Sequence, residues 1–207
     1  MDSFLLVLTI LYHPADTFRM IKIERQRIIF VTPIAILLLT IVVRLFCVNI
    51  THFPLADINP WETSLFNETV KLLVPIISFI IMYYATTTIM GGECIFREIL
   101  LAVSLCFVPY LICFPLLSLF SLVLGDTESG LYKLLCILVW VWIYLLIFSS
   151  IMIMNNYTFR KTLLIVIITV IAMAVFWAVC VLIFALANQF IEFIKGIIIE
   201  LRIRITV

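Results

Sequence analysis

The chain is 207 residues long, 66% apolar and 12% charged, with a mean hydropathy of +1.32 and a formal net charge of +1. Soluble domains hold about 45–50% apolar and about 25% charged residues, and at this length a water-soluble fold could not hide such an excess, because surface falls too slowly with size. The near-neutral charge offers no basic field for nucleic acid, and the six cysteines (Cys47, Cys94, Cys106, Cys113, Cys136, Cys180) lie in or beside apolar runs without metal-ligand spacing, as small buried hydrophobes do.

Residues 1–27 read as a short cytoplasmic or interfacial segment. Its opening, MDSFLLVLTILY, has the apolar length of a signal sequence but no basic start and no small-x-small cleavage site, which fits a re-entrant or interfacial helix better. Five tracts follow with the ~20 apolar residues that cross a ~30 Å hydrocarbon core: 28–50, 70–90, 99–124, 131–154 and 162–187. They are apolar on every face, unlike the alternating ~10-residue strands of a membrane barrel. The expected fold is therefore all-α, a polytopic bundle of five transmembrane helices over 28–187 with interfacial helices at both termini. All five glycines are expected at or beyond helix ends. Pro33, Pro75, Pro109 and Pro115 fall inside spans, where each is expected to bend its helix, the third span twice.

Orientation follows from lysine and arginine placement. Arg19, Lys22, Arg25 and Arg27 precede the first tract, Arg97 follows the second, and Arg160 and Lys161 follow the fourth. The other two loops carry only acids, Asp57, Glu62 and Glu68 in one and Asp126 and Glu128 in the other. The N-terminus is thus expected in the cytoplasm and the C-terminus outside. The tail 188–207 is too charged for a sixth span and reads as an amphipathic helix along the outer interface.

Chemistry is sparse. The two histidines, His13 and His52, flank the first tract, and no tract has Asp, Glu or His near its centre. Zinc hydrolysis and carboxylate-dyad chemistry are thereby excluded, and no phosphate loop is present. The reading is a non-enzyme without cofactors or metals. Arg44 is the one ionisable residue well inside a tract; it either snorkels or pairs internally, or it serves a substrate or ion. Lys71 and Lys133 open their tracts as interface anchors. YYATTTIM, 83–90, supplies small hydroxyl residues of the kind that pack helices in lipid.

Three stretches carry a family resemblance: YHPADTFRMIK before the first tract, GGECIFREIL after the second, and SLCFVPYLICFPLL within the third. Together they resemble the Yip domain family, five-span membrane proteins first known as interactors of Ypt/Rab GTPases. The matching positions are Pro14 and Phe18, then Gly91, Gly92 and Phe96, then Pro109. The short N-terminal segment is similar to bacterial and archaeal members, which implies a bacterial plasma membrane. What the resemblance implies is an adaptor that binds a protein partner at its cytoplasmic face through Pro14, Phe18, Gly91, Gly92, Phe96 and Arg97. The alternative is an accessory subunit of a transporter, such as a carbohydrate ABC importer, or a small channel; Arg44 and the kinked third span motivate it. Membrane lipids are the other expected partner.

Overall fold

The computed structural model describes residues 9–23, 30–51, 64–124 and 128–206. Seven helices carry most of the described chain: α1 (Pro14–Ile23), α2 (Val31–Ile50), α3 (Leu65–Ile89), α4 (Phe96–Cys106), α5 (Val108–Ser121), α6 (Ser129–Met154) and α7 (Phe159–Thr206). No strand occurs among the described residues. Five spans are long and apolar enough to cross a membrane: α2, α3, α4 and α5 together, α6, and α7.

The third span is the axis of the bundle. Its most apolar window is 67% buried, against 33% or less for the others, and every residue from Leu101 to Tyr110 is buried. α2, α3 and α6 pack around it. The axis is broken once, at Phe107 (φ −86°, ψ 0°), two residues before Pro109. Pro109 cannot donate to the carbonyl four residues back, so the helix stops and restarts there. The expected second bend does not interrupt the helix: Pro115, like Pro33 and Pro75, lies inside a continuous helix.

Three boundaries differ from the sequence expectation. α3 begins at Leu65, five residues before the expected start of its tract, which draws Glu68 into the span beside Lys71. The tail is no separate helix, since α7 runs unbroken for 48 residues, roughly 70 Å at ~1.5 Å per residue. Nothing in 159–206 stops it, because the segment contains no proline. Gly196 consequently sits inside α7 rather than at or beyond a helix end, while Gly130 lies in the first turn of α6 as expected. A mid-helix glycine costs about 1 kcal/mol against alanine, and an apolar run on both sides of Gly196 outweighs that. Most of the opening dodecapeptide and the loop 52–63 lie outside the described residues.

The turns at 90–95 and 155–158 share one end of the bundle with α1, while the ends of α2 and α5 and the starts of α3 and α6 share the other. These are called the double-glycine end and the Arg44 end. Only 11% of the most apolar window of α7 is buried, so its far half stands clear of the bundle.

The orientation of these ends is directly testable. In a cysteine-depleted background, Thr158→Cys should react with a membrane-impermeant maleimide only from the cytoplasmic side and Ser64→Cys only from outside. Labelling of both from one side would overturn the topology.

Candidate functional site

At the double-glycine end, α1 lies against α6 and α4. Pro14 opens it with a pre-set φ, Asp16 sits in its first turn and Lys22 in its last, each where the helix dipole favours its charge. Thr17, Phe18 and Ile21 form the buried face, and Phe18 is fully enclosed in the bundle's main core. Lys22 Nζ pairs with Glu93 Oε2 at 2.6 Å, joining α1 to the turn that follows α3.

The two adjacent glycines of that turn are needed for different reasons. Gly91 has φ +69° and open space around it, so backbone conformation alone selects it. Gly92 has no such torsion. A Cβ on it would sit 2.7 Å from Asn155 Oδ1, 2.8 Å from the Tyr157 hydroxyl and 2.9 Å from the Thr87 carbonyl. Around it the 90–95 and 155–158 turns are tied together. Asn155 Nδ2 donates to the Tyr83 hydroxyl at 3.0 Å, Cys94 Sγ donates to the Met154 carbonyl at 3.2 Å, and Asn156 Nδ2 donates to Glu93 Oε2 at 3.3 Å. Lys161 lies over the Tyr157 ring at 4.2 Å. Burial first, with Cys94 and Glu93 nearby, pushes the Tyr157 phenol above its ordinary value, so it stays neutral.

Beside this knot, Glu98 is almost wholly buried, and its Oε2 accepts from the Ile95 N–H at 2.9 Å, closing the first turn of α4. Phe96 packs edge-on against Tyr84, and Arg97 stacks over Phe30 at 4.3 Å. Six of the eight predicted residues, Pro14, Phe18, Gly91, Gly92, Phe96 and Arg97, therefore meet at one end. Pro109 sits mid-bundle at the break, and Arg44 near the other end.

Arg44 is paired. Its Nε and Nη2 donate to Glu68 Oε2 at 3.1 and 2.7 Å, and Lys71 Nζ donates to Glu68 Oε1 at 3.0 Å. Glu68 is 3% exposed. Of the readings open for Arg44, the internal pair is therefore present. These three side chains line one end of a cavity of about 910 Å³ whose remaining lining is mostly apolar. Tyr110, Phe114, Trp140 and Tyr144 form an aromatic chain beside it, with successive ring centroids 4.0, 6.3 and 6.2 Å apart.

Sequence reasoning missed Glu68 and Glu98 because an acid at the rim of an apolar tract counts as loop. One signal was present, Glu68 three residues before Lys71, which are neighbours on a helix. Asn155 and Tyr157 offered none. Among the described residues no cluster of three His, Cys, Asp or Glu could hold a metal ion.

A family model, the Yip1 domain, matches residues 8–188. No curated protein and no solved structure matches the chain.

Gly92→Ala should lower stability in detergent by about 1–3 kcal/mol through overpacking. Gly91→Asn should cost less, since Asn tolerates positive φ, and Gly91→Val about 1–2 kcal/mol. Melting curves in which Gly92→Ala is neutral would refute the packed turn. Arg44→Leu, which leaves Glu68 with Lys71 alone, should cost toward the lower end of about 3–5 kcal/mol, and adding Glu68→Leu should recover most of it. Additive losses would show that the two do not interact.

Proposed function

The chain belongs to the Yip1 domain family, and from that premise we propose that it is a non-enzymatic membrane adaptor that docks a protein partner at the double-glycine end. The observation that carries this reading is the build of that end. α1, the Gly91–Gly92 turn and the 155–158 turn are locked together by the Lys22–Glu93 pair and the Asn155, Cys94 and Asn156 hydrogen bonds. A preordered platform binds without a large ordering cost, which favours a recognition surface. Its rim is both apolar and basic. Tyr12, Ile23 and Ile89 are each about four-fifths exposed, and Arg19, Arg97, Arg160 and Lys161 are exposed around them. Such a rim suits a partner with apolar anchors and an acidic border. By the positive-inside rule this end faces the cytoplasm.

A second reading, an accessory subunit of a transporter such as a carbohydrate ABC importer, is favoured by the cavity at the Arg44 end, which a five-helix packing unit would not otherwise need.

Site-specific photo-crosslinking in native membranes tests the adaptor. A benzophenone amino acid at Tyr12, Ile23 or Ile89 should capture a discrete protein adduct, and one at Leu122 or Val123, exposed at the opposite end, should not. Adducts from both ends alike, or from neither, would reject the reading; identification of an ABC importer subunit as the adduct would support the second.

A further inference from the structure

The cavity at the Arg44 end is not explained by partner docking at the opposite end, and its lining is divided by chemistry. At one extreme stand Arg44, Glu68 and Lys71, two cations and one anion, leaving a single net positive charge. From there the wall is apolar for the rest of its length. Along α3 it runs from Lys71 to Phe79, roughly 12 Å of helix, and it continues over Phe107, Val103 and Val166. Its volume of about 910 Å³ lies near the top of the ~300–1,000 Å³ range of ligand pockets. Tyr110 lines the same cavity and lies beside Arg44. An adjoining recess of about 240 Å³ shares Arg44 and Trp140 with it.

We propose that this cavity holds one phospholipid of the leaflet at the Arg44 end. Its phosphate sits at the Arg44–Lys71 extreme, and one acyl chain follows the apolar wall toward Phe107. Three features match that occupant and no simpler one. The cationic extreme lies toward one end of the bundle, near the end of α2 and the start of α3. The apolar wall runs inward from it along the direction of a lipid chain. The mouth lies between α6 and α7, where Tyr144, Leu145 and Val170 are each more than half exposed, so a lipid enters sideways from the bilayer. A free phosphate would leave the apolar length empty, and an alkane would leave the net positive charge unanswered. Glu68 acts here as a positioning residue: it holds both cations in place and accepts no part of the ligand.

The full chain in phosphatidylcholine nanodiscs containing a phosphatidylglycerol with a diazirine near one acyl terminus tests this. Illumination should label the peptide bearing Phe107, which lines the cavity and is only 4% exposed. That labelling should saturate and yield to unlabelled phosphatidylglycerol but not to millimolar inorganic phosphate. Lys71→Gln alters a solvent-exposed side chain of the cluster. It removes a charged contact worth ~1.5–3 kcal/mol, so the apparent affinity should fall roughly tenfold or more. Val170→Trp narrows the mouth at an exposed position and should abolish labelling of Phe107 while leaving that of Tyr144 and Leu145. The proposal fails if labelling of Phe107 never saturates, if a diazirine alkane lacking phosphate labels it equally, if Lys71→Gln changes nothing, or if inorganic phosphate alone displaces the probe.

Discussion

Hydrocarbon cannot accept or donate a hydrogen bond, and every polar group this chain carries into the bilayer must find its partner within the protein. Most hydroxyls do so on their own helix: Thr40 donates to the Ile36 carbonyl, Thr87 to that of Tyr83, and Ser104 to that of Leu101. A few reach across. The Thr86 and Thr169 hydroxyls meet at 2.8 Å between α3 and α7, and Thr51 donates to Ser118 at 3.1 Å between α2 and α5. Each interhelical bond of this kind contributes ~0.6 kcal/mol in a membrane, so they set register more than they supply stability. Arg44, Glu68 and Lys71 obey the same constraint at higher stakes, because an uncompensated charge there costs several kcal/mol.

The constraint also explains why the two ends differ. At the double-glycine end many of the polar groups pair across elements. Lys22 and Glu93, Asn155 and Tyr83, Cys94 and the Met154 carbonyl, and Glu98 and the Ile95 amide form closed pairs that fuse α1 and two turns. Gly92 is what allows those turns to approach, since any side chain would occupy the space of Asn155 and Tyr157. At the Arg44 end the pairing leaves a single net positive charge at one extreme of a cavity.

The central third span connects the ends. Its continuous burial from Leu101 to Tyr110 makes it the surface on which α2, α3 and α6 pack, and its break at Phe107 places that ring on the cavity wall. Pro109 therefore matters for both halves: it ends α4, whose first turn belongs to the double-glycine knot, and it starts α5, which carries Tyr110 to the Arg44 side.

The residues themselves dictated five helical crossings, the double-glycine turn and a break near Pro109, because each follows from local rules: apolar length, the absence of water, and the missing N–H of proline. Convergence of Pro14, Phe18 and the glycine turn was legible only through likeness to a family, since nothing local says that α1 folds back onto the bundle. Three things escaped the sequence altogether. Glu68 looked like loop because hydropathy scores an acid without knowing that Arg44, 24 residues earlier, lies at the same depth. The tail looked like a separate helix because its charges were visible and the continuity of α7 was not. The cavity is bounded by residues from α2 through α7, and only their packing decides whether facing side chains meet or leave space between them.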